Sequence, residues 1–337
     1  MQIEVNAESK SYPIVLERGS INNVAQFVPS GKNALIVYDK NVPTTAVNTI
    51  CEQFPNSKLV KITGGEVTKS IDNYAELLQK CMDAKLTRSD YIIAVGGGTV
   101  GDLAGFTAAT YMRGIHLIHV PTTILSAVDS SIGGKTGINF GGTKNVVGAF
   151  YQPDAVIIDL DVTKTLSERQ VSNGLAEALK AGLIYDETLF ELFEQDDYLA
   201  HIDEIVAQAI YVKKAIVEQD EREADLRQIL NFGHTIGHGI EAHFGKYLHG
   251  EAIAEGMMYF IKSKELGERV EKITRKMNLP KIKLSPNDID PIYELIVRDK
   301  KANADYINVV EVEKPGHAYI CQVKKADINE MLKWGSA

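Results

Sequence analysis

The amino-acid sequence predicts an α/β domain with a mostly parallel sheet, followed by an all-α domain. Two observations carry this. Up to about residue 160, short runs rich in β-branched residues alternate with helical stretches, the pattern of a doubly wound sheet. From Ser167 onward the texture is almost entirely helical. The expected strands are IEVNA, YPIVLE, NALIVYD, KLVKITG, YIIAVGGG, IHLIHVP and AVIIDL, with helical runs such as SIDNYAELLQKCMDA between several of them. The expected helices of the second half are SNGLAEALKAGLIYDETLFELFEQ, DEIVAQAIYVKKAIVEQDERE, a histidine-bearing helix, and AIAEGMMYFIKSKELGERV; Pro280, Pro286 and Pro291 then punctuate shorter helices. The domains are accordingly expected at residues 1–160 and 161–337. A cleft between two domains is a common place for a ligand.

At 337 residues the chain has room for two domains and a sizeable core. Its 45 acidic residues outnumber its 36 basic ones, and the net charge of −9 argues against nucleic acid as a partner while leaving room for a local lysine pocket around a small anion. Cys51, Cys81 and Cys321 are far apart and odd in number, so reduced thiols and a cytoplasmic setting are expected rather than a disulfide framework. MQIEVNAESK lacks the pattern of a signal peptide and no apolar run approaches membrane-spanning length, so no membrane partner is expected.

YIIAVGGGTVGDLAGF reads as an apolar strand, a glycine turn and a helix start. Gly96, Gly98 and Gly101 fit G-x-G-x-x-G, where backbone amides approach a pyrophosphate and the helix N-terminus favours its charge. The segment departs from the usual Rossmann arrangement in two ways: it follows several βα elements rather than opening the fold, and no acidic residue ends a strand about 20 residues later, so a ribose contact must come from elsewhere. A second glycine-rich stretch, DSSIGGKTGINFGGTKN, is not a P-loop, because Asp129 stands where the first glycine is required. It reads as flexible backbone carrying Lys135, Lys144 and Asn145, suited to a phosphate or carboxylate.

In NFGHTIGHGIEAHFGKYLHGE, His234 and His238 are four apart and share a helical face, and His249 opens the next helical run. Three imidazoles this close suggest a metal site or an acid/base site. The motif is not that of a metalloprotease, since Thr235 stands where its glutamate would be. Glu177 and Lys180 in NGLAEALKAG are three apart among small and apolar residues; a carboxylate there would complete a metal site with two histidines, the donor set of catalytic zinc. If the histidine helix begins near Arg227, then Arg227, Asn231, His234 and His238 form one continuous stripe.

Taken together, GGEVTKS, GGGTVGDLAGF, RGIHLIHVPTTILSAVDSSIGGKTGIN, KNVVGAFYQP, NGLAEALKAG, LRQILNFGHTIGH, HGEA and DKK resemble the 3-dehydroquinate synthases, a branch of the sugar phosphate cyclases. The resemblance runs from about Asp39 to Lys301. It implies a Rossmann-like NAD-binding domain, a helical domain holding a divalent metal (zinc, with cobalt as an alternative), and an active site between them. By motif position Glu177, His234 and His249 would be the metal ligands, and His238 a phosphate-side or acid/base residue. NAD contacts would fall on Asp39, Asn41, Glu66, Lys69, Gly96, Gly97, Gly98, Asp102, Thr122, Thr123, Asp129 and Lys144, with Asp39 or Glu66 reaching the ribose. Lys135, Asn145, Lys180, Lys213, Arg227, Asn231 and one of Lys300 and Lys301 would hold the phosphate and carboxylate of the substrate, 3-deoxy-D-arabino-heptulosonate 7-phosphate. Arg113 would reach the site of a neighbouring subunit in a homodimer. The implied product is 3-dehydroquinate, on the shikimate route to aromatic amino acids.

Three other readings compete. A metal- and NAD-dependent polyol dehydrogenase would share the build but has no need of Lys135, Lys144, Lys180 and Arg227. A sister cyclase acting on a sugar phosphate without a carboxylate would not need Arg227, Lys213 and the DKK segment. A non-catalytic NAD-binding module would not need a metal triad.

Overall fold

The computed structural model describes residues 1–299 and 305–334. They form two compact units: Met1–Ser167 with Lys213–Glu221, and Glu168–Val212 with the described residues from Arg222 onward. Lys300 and Lys301 lie outside the described residues.

In the first unit seven strands form one sheet. They are β1 (Gln2–Asn6), β2 (Ser11–Leu16), β3 (Ala34–Asp39), β4 (Lys58–Ile62), β5 (Tyr91–Gly96), β6 (His116–Pro121) and a strand after residue 154, Ala155–Ile158. The last is β9, because β7 (Lys135–Phe140) and β8 (Thr143–Phe150) precede it as a separate hairpin. The sheet order is β1-β2-β9-β6-β5-β3-β4; only the β1–β2 pair is antiparallel. Period-two alternation explains why its central strands are apolar throughout. Ile36, Ile93 and Val95 face one cluster with Val47 and Ile50 of helix α1 (Thr44–Glu52). Leu35, Val37, Ile92 and Ala94 face the other, with Leu77 of α2 (Ile71–Asp83) and Val100, Leu103 and Ala104 of α3 (Gly98–Thr110). Both faces are covered, and the loops at the strand C-termini are left to carry chemistry.

The second glycine-rich stretch corrects an expectation. From Lys135 it is an antiparallel hairpin, not a flexible loop. Gly141 and Gly142, with φ of 58° and 78°, make the two-residue turn whose positive φ matches the strand twist.

The second unit is built on α4 (Glu168–Ile184), α5 (Glu187–Glu194), the first part of α6 (Ile202–Gln219), α7 (His234–Phe244), α8 (His249–Met258), α9 (Lys264–Lys276) and α10 (Pro286–Asp299). It also contains an antiparallel hairpin, β10 (Tyr306–Lys314) with β11 (His317–Lys324), which the helical reading of this half did not include, and ends in α11 (Lys325–Trp334). The α4–α8 contact is close because Gly250 has no side chain: a Cβ there would lie 2.0 Å from the carbonyl oxygen of Asn173. Three helices thus converge carrying Glu177, His234, His238 and His249. Among the described residues no helix is long and apolar enough to cross a membrane. Cys51, Cys81 and Cys321 are free thiols.

Candidate active site

In the first unit, β5 ends at Gly96 and α3 starts at Gly98. A Cβ on Gly98 would lie 2.8 Å from Ser130 Oγ, so the first turn of α3 presents bare backbone there. Thr122 donates its N–H to the Gly96 carbonyl at 2.9 Å, bringing Thr122 and Thr123 beside the glycine turn. Gly64, at φ +74°, lies against Asp39: a Cβ would come within 1.9 Å of Oδ2, while Asp39 Oδ1 accepts the Asn41 N–H at 2.8 Å. Asp39 and Asn41 therefore stand at the end of β3, against the GGEVTKS loop. This cradle fits a dinucleotide by its glycine backbone and by the acidic group missing from the strand after β5.

Lys69 is 3% exposed and donates to Asp102 Oδ2 at 2.6 Å and to the side-chain oxygen of Asn145. Burial raises the Asp102 carboxyl to about 6, against the pull of the Lys69 ammonium. Asn145 N–H donates to Asn139 Oδ1 at 2.9 Å, and Asn139 Nδ2 donates to Glu66 Oε1 at 2.8 Å. Lys69, Asp102 and Glu66, expected on the dinucleotide side, and Asn145, expected on the substrate side, thus share one hydrogen-bonded group. Asn139 joins them and was missed; its signal was its place in GKTGIN, between two glycines and two lysines that drew attention instead. Lys213 donates to Asp129 Oδ1 at 2.5 Å. Lys135 starts β7 and Lys144 lies in β8, both exposed. Arg113 is exposed on the turn Tyr111–Arg113, where Met112 and Arg113 have φ of 51° and 67°.

The second unit holds the carboxylate and the imidazoles. Glu177 and Lys180 form a buried ion pair, their side chains 2% and 3% exposed. Glu177 Oε1 lies 3.4 Å from His249 Nε2 and 3.8 Å from His234 Nε2. His238 is exposed and packs against both rings, with centroids 5.0 Å from His234 and 5.6 Å from His249. One nitrogen from each of the three rings falls within a 4.8 Å cluster. The Nδ1 of His234 lies 3.0 Å from the Phe232 carbonyl, and that of His249 lies 3.1 Å from Glu241 Oε2. With Nδ1 of each ring so engaged, Nε2 is the nitrogen that faces Glu177.

Burial would raise the Glu177 carboxyl, yet Lys180, His234 and His249 hold it well below the usual carboxylate range. Burial and the Lys180 charge push His234 well below its ordinary value. Burial also opposes charge on His249, but hydrogen bonds to Glu177 and Glu241 raise it to about 9. The cluster thus draws a positive charge into a buried place. Both oxygens of Glu177 are buried, and what faces them is the Lys180 ammonium and the His234 and His249 rings. A buried carboxylate faced by imidazole nitrogens suits a divalent cation of the zinc type.

The expected stripe through Arg227, Asn231, His234 and His238 is interrupted. Leu226–Asn231 is a 3-10 turn, Phe232 is extended, and Gly233 is left-handed at φ 77°, so α7 begins only at His234. A Cβ on Gly233 would lie 2.8 Å from the Ile253 carbonyl, so close packing on α8 imposes the break. Arg227 is fully buried, and Asn231 Nδ2 donates to Glu223 Oε1 at 2.8 Å.

The 3-dehydroquinate synthase N-terminal family model matches residues 59–173, and the C-terminal one residues 174–302. The chain belongs to the 3-dehydroquinate synthase family. The 3-dehydroquinate synthase of Clostridium kluyveri is 37% identical over 350 residues, spanning 98% of this chain and 96% of the relative. Among solved structures, 2-deoxy-scyllo-inosose synthase complexed with carbaglucose-6-phosphate, NAD+ and Co2+ superimposes with a TM-score of 0.88 at 27% identity, covering 99% of this chain and 100% of that one. The 2-epi-5-epi-valiolone synthase of Streptomyces hygroscopicus, with NAD+ and Zn2+ bound, shares the fold at a TM-score of 0.86 and 23% identity, over 98% of each chain. The 3-dehydroquinate synthase fold thus accounts for both units, the sheet and the helices.

Proposed function

We propose that this chain converts 3-deoxy-D-arabino-heptulosonate 7-phosphate to 3-dehydroquinate and phosphate, with NAD and one divalent metal ion as resident groups. The observation that carries the reading is Glu177, a buried carboxylate paired with Lys180 and faced by imidazole nitrogens at 3.4 and 3.8 Å, in a chain of the 3-dehydroquinate synthase family. Glu177, His234 and His249 would hold the ion, which would supply Lewis acidity toward the alcohol being oxidised. The amides at Gly96–Gly98, with Asp39 or Glu66 at the ribose, would hold NAD, which would supply a reversible hydride acceptor.

The remaining side chains bind, orient and move protons. Lys135 and Asn145 hold the phosphate, with Lys144, Asp102 and Asp129 on the dinucleotide side. Arg227 and Lys213 read the carboxylate, and Asn231 and Lys180 orient the hydroxyls beside it; Lys300 or Lys301 closes the same end. Fixing both ends of a flexible substrate brings its reacting carbons together for ring closure. His238 exchanges a proton with solvent, a role its exposure beside the two rings supports. Elimination requires loss of a proton from the carbon next to the oxidised one, and the departing phosphate can itself accept it. The active form is a homodimer in which Arg113 of one protomer reaches the phosphate bound by its partner. The substrate is a small sugar phosphate, and the location is the cytoplasm.

The test measures phosphate release from the heptulosonate phosphate with and without NAD and a chelator. Phosphate should appear in step with 3-dehydroquinate, stop on chelation, and leave no net NADH. NADH rising in step with product would mean a polyol dehydrogenase. Equal use of a substrate lacking the carboxylate would mean a sister cyclase.

A further inference from the structure

His249 is constrained in two separable ways. Its backbone is pinned at the start of α8. The Gly250 N–H donates to Asn173 Oδ1 at 2.7 Å, and the Leu248 N–H to Glu251 Oε2 at 2.8 Å. Glu251, 3% exposed, is clamped by Arg169 through Nε at 2.6 Å and Nη2 at 2.7 Å. What this leaves is rotation of the ring, and there the Glu241 carboxylate meets Nδ1 at 3.1 Å. Glu241 is on α7, seven residues after His234 and three after His238, so one helix carries both a candidate ligand and the group that orients another. At His234 the corresponding partner is a backbone carbonyl, which substitution does not remove.

We infer that Glu241 is a positioning residue of the metal centre. By accepting the Nδ1–H of His249 it fixes the tautomer that leaves the lone pair on Nε2, holds the ring plane toward Glu177, and makes the imidazole a stronger donor. A carboxylate in this outer position contributes roughly 10–100-fold in metal affinity. The inference rests on the metal reading above, and its test keeps the two apart.

The full-length protein is compared with Glu241→Leu and Glu241→Gln. The readouts are the zinc dissociation constant from competition with a chromogenic chelator, the visible spectrum of the cobalt-substituted protein, and NAD affinity. Glu241→Leu should bind zinc roughly 10–100-fold more weakly and alter the cobalt spectrum, with NAD affinity unchanged. Glu241→Gln keeps a carbonyl oxygen that can accept from Nδ1–H, so it should recover most of the affinity and a near-normal spectrum. A residue that only supported the fold would move NAD affinity with zinc affinity and would not separate leucine from glutamine. Wild-type zinc affinity and cobalt spectrum in Glu241→Leu would overturn the inference. If that variant does not fold, zinc affinity in Glu241→Gln as weak as in a Glu177→Gln protein would overturn it as well. Failure of the unmodified chain to bind zinc or cobalt would overturn the metal reading itself.

Discussion

The candidate dinucleotide cradle of the first unit and the imidazole cluster of the second are built from different materials. The cradle is mostly backbone: glycines at 64 and 96–98 bring amides and Asp39 to the ends of β3 and β5. Its nearby charged groups have partners, Lys69 with Asp102 and Lys213 with Asp129. The cluster is all side chain, displayed from three helices, and its central carboxylate is buried between Lys180 and two imidazoles. A backbone site is set by the shape of the fold, whereas the side-chain site is set by charge, a carboxylate held by Lys180 and two imidazoles. The first should respond to changes in shape, the second to changes in charge.

The strongest way to break this comparison is Glu177→Gln. It keeps the shape and removes the charge. Loss of the metal forfeits Lewis-acid stabilisation of several kcal/mol, so phosphate release should fall by roughly 10³-fold or more. Metal content of the purified protein should fall to near zero while NAD affinity stays within about two-fold of wild type, since the cradle is built without this residue. Stoichiometric metal in the variant would mean that the three imidazoles hold the ion by themselves and that Glu177 serves only Lys180.

Gly64→Ala is the converse change. It adds one methyl group and no charge. The residue sits at φ +74° and its Cβ would meet Asp39 Oδ2 at 1.9 Å, so the carboxylate must swing away and give up the Asn41 N–H. Strain of about 1–3 kcal/mol at such a position should weaken NAD roughly ten-fold or more, with zinc affinity unaffected. Equilibrium dialysis for each ligand checks this. Unchanged NAD affinity would move the ribose contact to Glu66.

Asn139→Ala tests the node shared by the two sides of the first unit. It removes one acceptor and one donor, each worth about 1 kcal/mol net, so the apparent KM for substrate or NAD should rise several-fold, with kcat changed less. A fall in kcat alone would mean that the Lys69–Asn145 contact matters to chemistry rather than to binding.

The parts legible in the sequence were those with a strong local signature. Apolar runs bounded by turns located the seven sheet strands, and the glycine spacing located the start of α3. Two hairpins escaped. Gly141–Gly142 between apolar runs was a turn signal, but the glycines at 133 and 134 made the whole stretch read as loop. YINVVEVEKPGHAYICQVK carries the alternation of two strands around Pro-Gly, yet it follows a long helical stretch whose period dominated the reading. The break at Gly233 is set by packing against Ile253 and Met257, contacts that no spacing reveals. The same holds for Glu241, whose helical position was readable while its partner on another helix was not.

The smallest expected effect concerns the helix that packs on α7. At the start of α10 the Asp288 carboxylate accepts from Ser285 N at 2.8 Å and Oγ at 2.6 Å, and meets His243 Nε2 at 2.8 Å. The Ser285 and His243 hydrogen bonds lower its pKa to about 2. A carboxyl whose folded pKa lies below its unfolded value of about 3.9 stabilises the fold fully above that unfolded value, and the contribution disappears as pH falls toward the folded one. The interaction is at the surface, so the gain is modest and salt-sensitive. Asp288→Asn should therefore melt slightly lower than wild type at pH 6, and the difference should shrink between pH 4 and pH 3. It should leave zinc and NAD affinities unchanged, because the network acts on α10 and not on the ligands. A melting difference that is constant from pH 6 to pH 3 would mean that the asparagine disturbs packing rather than the charged cap, and would remove the electrostatic reading of this helix end.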